Sequence, residues 1–255
     1  MHPTEQDTSS HGRLEAVIFD VDGTLVDSER DGHRVAFNQA FEDAGLPYRW
    51  GVEEYGRHLR VTGGRRRIEA FLVEEGHEPG DAAEQAGKLH EAKTGIFREM
   101  VGSGEVPLRP GVARLVGELA AAGVRLFVAT TGSRAWVEPL LDRHFGESVF
   151  ELVVTGTEVT RLKPDPAVYE AVLQAAGLDT HAVVAVEDSA NGLVAARGAL
   201  LPCLVVTNDY TVHHDLSGAA LVVDGLGPGA HRVAGADVPL PDGTVTVATL
   251  AALAR

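Results

Sequence analysis

Short apolar, β-rich runs alternating with stretches of helical spacing leave this chain few folds. The runs are Leu14–Phe19, Val124–Thr130, Phe150–Val154, Ala182–Val186, Pro202–Val206 and Ala220–Val223. Between the later ones lie Val112–Ala122, Trp136–Phe145, Ala167–Ala176 and Gly192–Ala199, whose apolar residues recur at helical spacing. A strand that is apolar on both faces must be covered on both, and parallel strands need a crossover of helix length. The pattern predicts an α/β fold, a doubly wound parallel sheet of Rossmann-like type. Such sheets carry their reactive groups at the carboxyl ends of the strands, in the loops that lead into helices.

One long segment breaks the rhythm. From Arg30 to Val106 there is no strand-like run, and Glu, Ala, Arg, Leu and His recur at helical spacing. That is too long for a plain loop, so an inserted all-helical cap is expected over 30–106. The α/β core then takes 14–29 and 107–229. A C-terminal extension, 230–255, is expected to form a hairpin about Pro241-Asp242-Gly243 and a short helix in Ala248–Ala254. Met1–Gly12 is polar and reads as a poorly tied-down lead-in. With no signal-like apolar segment there and no apolar run near 18 residues, the cytoplasm is the expected compartment. A formal net charge of −15 would repel nucleic acid and anionic membrane, so neither is an expected partner. The single cysteine, Cys203, has no internal disulfide partner and reads as core filler in a buried strand.

Polar groups stand at four strand ends. The first run closes in Phe19-Asp20-Val21-Asp22-Gly23-Thr24-Leu25. Two carboxylates about 4 Å apart would repel by roughly 4 kcal/mol at an effective dielectric near 20, so this pair calls for a proton or a cation. The second end, Val128-Ala129-Thr130-Thr131-Gly132-Ser133, offers hydroxyls and backbone N–H groups at a helix start, where anions bind. Arg161-Leu162-Lys163-Pro164-Asp165-Pro166 follows the third, and the fourth ends in Glu187-Asp188-Ser189. Singly, each has an ordinary alternative. Asp20, Thr130 and Ser133 would serve as helix caps, Lys163 as a solvated lysine, and Glu187-Asp188 as acids favoured by a helix dipole. At successive strand ends of one sheet they make a reaction centre.

In these motifs, taken in order, the chain resembles the haloacid dehalogenase-like hydrolases, specifically their capped phosphatase and phosphomutase branch, over most of Leu14–Val223. The resemblance implies that Asp20 is the nucleophile forming an aspartyl-phosphate, and that Asp22 is the general acid and then base. It implies that Thr130 and Lys163 hold the phosphoryl group. It also implies that Mg2+ is ligated by Asp20, the Asp22 carbonyl and Asp188, with Glu187 ordering its water. The bare chemistry agrees: a carboxylate attacks a dianionic phosphate only if the repulsion between them is neutralised. Halide displacement needs no second acid, so Asp22 speaks against a dehalogenase.

The cap carries the clues to substrate. Asp27-Ser28-Glu29 follow the reactive loop, and Glu29 and His33 stand four residues apart, able to share a helix face. Thr62-Gly63-Gly64-Arg65-Arg66-Arg67 opens a helix with three arginines, which fan out by about 100° each and cannot all meet one ligand. They are read either as a solvated basic face or as a dock for a second phosphate. Lys93 is a weaker candidate of the same kind and is read first as a surface lysine. These stretches, with Trp50, Glu54-Tyr55-Gly56, Ala92-Lys93-Thr94, Leu108-Arg109-Pro110-Gly111 and Glu187-Asp188-Ser189-Ala190-Asn191-Gly192, resemble the CbbY group of the same superfamily. That group consists of sugar-phosphate phosphatases, whose characterised members act on xylulose 1,5-bisphosphate. The departures are Arg65 for an expected lysine, Arg66 for an acid, and Gly132 for a threonine. The resemblance implies a phosphatase of a small sugar phosphate or bisphosphate, with substrate contacts from Glu29, His33, Thr62, Gly63, Gly64, Arg65, Thr131 and Ser133; a monomer is expected. A β-phosphoglucomutase-like isomerase shares every one of these motifs and is the alternative.

Overall fold

The computed structural model describes residues 14–61 and 63–254. The expected lead-in Met1–Gly12 and the candidate Thr62 lie outside them. The chain forms two compact units. One takes the residues up to Thr24, Pro110–Gly132 and Glu147 onward; the other takes Leu25–Arg109 and Ser133–Gly146.

The first unit is built on a sheet whose strands, in chain order, are β1 (Ala16–Phe19), β2 (Arg125–Ala129), β3 (Leu152–Val154), β4 (Val183–Glu187), β5 (Cys203–Val206), β6 (Leu221–Val223) and β7 (Arg232–Gly235). Their spatial order is β3-β2-β1-β4-β5-β6-β7, parallel up to β6. The alternation of side chains explains the unbroken apolar runs. Ala16 and Ile18 of β1 join Phe127, Ala185, Cys203 and Val205 in one core with Val168, Tyr169 and Val172 of α7 (Ala167–Ala176) and Leu193, Ala195 and Ala196 of α8 (Ala190–Gly198). The intervening Val17 and Phe19 are equally buried, so both faces of the sheet are covered. Chain order runs outward in opposite directions from β1 and β4. The switch point, where doubly wound sheets open a crevice, therefore lies between those two strands.

The second unit is helical: α1 (Arg34–Asp43), α2 (Val52–His58), α3 (Gly64–Glu74) and α4 (Pro79–Ser103), entered through one π turn at Glu29–His33. Its core is aromatic. Trp50 packs edge-on to Phe41 at 4.9 Å and Phe71 at 5.1 Å, and Phe37 lies 5.1 Å from Trp50. Asn38 and Trp50 exchange two hydrogen bonds, which ties the loop before α2 to α1.

Three expectations need correction. The helix Trp136–Phe145 (α6, Arg134–Phe145, the helix after α5, Val112–Ala121), expected in the α/β core, groups with the helical unit. The reason is local: Trp136 packs edge-on against Phe97 of α4 at 5.2 Å, and Arg143 donates to the carbonyls of Gly102 and Ser103, each at 2.9 Å. No hairpin forms about Pro241-Asp242-Gly243, which is a single 3-10 turn leading to a short helix, Val247–Ala251. The strand of the extension lies earlier, as β7, antiparallel to β6. All four of its residues are exposed, so it carries no apolar signature to read. The long helix α4 keeps Lys93 buried, against the expectation of a surface lysine.

Candidate active site

Asp20 is the first residue beyond β1, and its N–H donates to the carbonyl of Val186 on β4 at 3.0 Å. Register alone thus sets Asp20 beside the end of β4, where Glu187 and Asp188 stand. The three carboxylates are buried, and an oxygen from each lies within 4.8 Å of the others. Glu187 has room because α8 presents Gly192 to it; a side-chain carbon there would overlap the carboxylate. At Gly23 the constraint is double. Its φ of +81° favours glycine, and a Cβ would collide with the Asp188 carboxylate.

Lys163 reaches this group from the loop before α7. Its ammonium donates to Asp20 Oδ1 at 2.6 Å, Glu187 Oε1 at 2.7 Å and the Ala129 carbonyl at 2.8 Å, which uses its three protons. Tyr169 donates to the same Glu187 oxygen at 2.5 Å, and its ring lies 5.1 Å beneath the ammonium. Burial pushes the Asp20 carboxyl up to about 7, against the pull of Lys163 and with the help of Glu187. Burial acts to lower Lys163, but Asp20 and Glu187 outweigh it and hold the ammonium well above its ordinary value. The cluster holds three buried acids and one ammonium, so acidic groups outnumber basic ones. Oxygen donors in that arrangement suit a hard divalent cation such as Mg2+, so the residues present fit the metal expected here.

The other sequence candidates are placed unevenly. Asp22 is half-buried in the turn after Asp20. Thr130 is fully buried at the end of β2, with its Oγ1 accepting from the Gly132 N–H at 3.1 Å. Thr131 and Ser133 are exposed, and Ser133 is the N-cap of α6. Asn208 and Tyr169 were missed. Neither belongs to an acid or hydroxyl motif, and six positions of sequence do not by themselves bring Tyr169 to Lys163, so only the fold pairs them.

The helical unit holds a second polar cluster. Glu29 accepts from the Tyr55 hydroxyl at 2.5 Å, and Arg67 donates to that hydroxyl at 3.0 Å and to the His58 carbonyl at 3.1 Å. Lys93 Nζ donates to His33 Nδ1 at 2.9 Å. Phe37 joins the two pairs, with Arg67 at 5.9 Å and Lys93 at 4.9 Å from its ring centre. Burial, then Lys93, Arg67 and His90, holds His33 well below its ordinary value, so it is a neutral acceptor. Glu29 and His33, expected on one face, thus have different side-chain partners. Among the arginines the fan is real: Arg65 and Arg66 are exposed and Arg67 is buried. Gly64 lies against His90, where a Cβ would meet the ring at 2.8 Å, while Gly63 has open space around it.

A family model for haloacid dehalogenase-like hydrolases matches residues 14–199. The chain belongs to that family. It is 40% identical over 232 residues to the protein CbbY of Cereibacter sphaeroides, covering 89% of this chain and 99% of that protein. A crystal structure of a CbbY variant from Rhodobacter sphaeroides in complex with xylulose 1,5-bisphosphate superimposes with a TM-score of 0.70 at 39% identity, covering 83% of this chain and 94% of that one. A putative β-phosphoglucomutase from Thermotoga maritima follows at 28% identity and a TM-score of 0.61, covering 77% of this chain and 87% of that one. Within its family this haloacid dehalogenase-like hydrolase is a phosphatase, and its α/β unit has the family's fold. Among the described residues no helix is long and apolar enough to cross a membrane.

Proposed function

We propose that this enzyme is a Mg2+-dependent phosphatase of a small sugar phosphate or bisphosphate, xylulose 1,5-bisphosphate foremost, acting through an aspartyl-phosphate on Asp20. The observation that carries the reading is Lys163, bonded at once to Asp20 and Glu187 within a buried set of acids. Asp20 and Asp188, with the Asp22 carbonyl, would hold the Mg2+, which when bound supplies positive charge to the attacking carboxylate and the phosphate oxygens. Burial raises Asp20 against the pull of Lys163, and a further cation beside it favours the ionised form that attacks phosphorus.

In the first step an Asp20 oxygen bonds to phosphorus as the ester P–O bond breaks, and Asp22 delivers its proton to the departing sugar oxygen. In the second, the Asp22 carboxylate takes a proton from water as that oxygen attacks phosphorus. Inorganic phosphate leaves and the Asp20 carboxylate is restored. Thr130 and Lys163 hold the phosphoryl oxygens. Glu29 and His33, with Thr62, Gly63, Gly64 and Arg65, would recognise the sugar and its second phosphate. The kinship with CbbY supports a bisphosphate, as does the basic character of the helical unit's cluster.

A phosphate-release assay over a panel of sugar phosphates, with xylulose and ribulose bisphosphates included, tests the reading. Release of phosphate without an isomerised sugar is expected. An isomerised product with little free phosphate would transfer the assignment to a phosphosugar mutase.

A further inference from the structure

The residue that closes the acid cluster on its far side is Asn208, two positions beyond β5. We propose that Asn208 is the positioning residue for a divalent cation at these strand ends, its side-chain amide setting the rotation of the Asp188 carboxylate. The inference rests on the reading that Asp20, Glu187 and Asp188 serve a Mg2+ ion.

Asn208 Nδ2 donates to Asp188 Oδ2 at 2.8 Å. The orientation of that amide is fixed by its other half: Oδ1 accepts from the N–H groups of Tyr210 at 3.0 Å and Thr211 at 3.2 Å. A flipped amide would lose both bonds and set an oxygen against a carboxylate oxygen, so the NH2 group must face Asp188. The turn is closed from the other side, where the Asn208 N–H donates to Thr211 Oγ1 at 3.0 Å, and Thr211 is buried. The preceding Thr207 ties the turn to the sheet, its N–H donating to the Val223 carbonyl on β6 at 2.9 Å. Asp188 is therefore oriented by a turn anchored in the sheet. Gly23 packs against the same pair: a Cβ there would collide with the Asp188 carboxylate and stand 2.9 Å from Asn208 Nδ2. The loop that carries Asp22 thus rests on the Asp188–Asn208 contact.

The chemistry of the side chain suits the role. A lysine at this position would orient Asp188 and at the same time cancel its charge, weakening its hold on a cation. A neutral amide orients the carboxylate and leaves that charge in place. Partners of this kind behind a metal ligand are worth about 10–100-fold in metal affinity.

The test is calorimetric titration of the metal-free full chain with MgCl2, comparing wild type with Asn208→Ala and Asn208→Ser, alongside thermal unfolding of each in EDTA. Serine retains an acceptor for the turn N–H groups but is too short to reach Asp188, which protects the fold while removing the amide contact. Both variants are expected to bind Mg2+ about 10–100-fold more weakly, with Asn208→Ser unfolding in EDTA within a few degrees of wild type. Wild-type Mg2+ affinity in Asn208→Ser would overturn the inference alone. Absence of Mg2+ binding to the wild-type chain would overturn the cation reading and this inference with it.

Discussion

The two units each bury a charged cluster, and the clusters are opposite in sign. At the strand ends of the α/β unit Asp20, Glu187 and Asp188 cluster, and one ammonium, that of Lys163, bonds the first two. In the helical unit the buried charges are Arg67 and Lys93, softened by aromatic rings and by neutral His33, with Glu29 bonded through Tyr55. Opposite surpluses call for opposite ligands. On the proposed reading the first would hold a metal cation beside the phosphate and the second would take an anion. Chemistry and recognition would then be divided between two folding patterns, one set by strand register and the other by helix packing.

The largest expected effect breaks the first cluster at its reacting atom. Asp20→Asn removes the proposed nucleophile and is expected to lower kcat by more than about a thousandfold, with the chain still folded by circular dichroism. Unchanged turnover would sink the assignment. Next comes stability: Lys163→Met strands two buried carboxylates, and urea unfolding should show a loss of about 3–5 kcal/mol. A loss within error would mean that water or an ion already serves those acids.

A smaller effect sharpens the contrast from the other side. Lys93→Met removes a buried charge from the helical unit, and KM for a bisphosphorylated sugar should rise about 10–100-fold, the worth of a charge-assisted hydrogen bond of 1.5–3 kcal/mol. The kcat for a monophosphate is the control that should move far less; equal losses on both substrates would remove the anion role. The smallest effect is in pH. His33 is held below its ordinary value of 6.5 by burial and by Lys93, Arg67 and His90. Above that pH neither folded nor unfolded chain binds this proton. Below it the unfolded chain takes up a proton that the folded chain refuses, so stability falls as pH falls. One such group contributes at most about 1.4 kcal/mol per pH unit. The slope of stability against pH between 6.5 and 5 should therefore be shallower in His33→Gln, and equal slopes would show that His33 is free to protonate.

Much of the α/β unit was legible because its strands are buried on both faces. Runs such as Val183-Val184-Ala185-Val186 have no other stable home, and the acids that follow them stand out against that apolar background. Exposed elements gave no such contrast, which is why β7 went unread and Pro241-Asp242-Gly243 was taken for the turn of a hairpin. The basic run of the cap was ambiguous for a related reason. Arg65, Arg66 and Arg67 are chemically equal in a sequence, and only helix packing buries the third beneath Tyr55 and Phe37. The same holds for Lys93, whose burial depends on α4 lying against α1 and the turn before it.

By itself, then, the sequence determined the layered fold and the four polar strand ends, since both are written in local patterns of apolar and charged residues. It also determined the order of those ends along the chain, and so the family. Tertiary structure decided which of the polar groups touch. Parallel register sets Asp20 beside β4, a loop returns Lys163 to bond Asp20 and Glu187 together, and a turn beyond β5 aims Asn208 at Asp188. Those contacts join residues up to 143 positions apart, and the free energy that holds them comes from the packed sheet between them, which no local stretch of the chain contains.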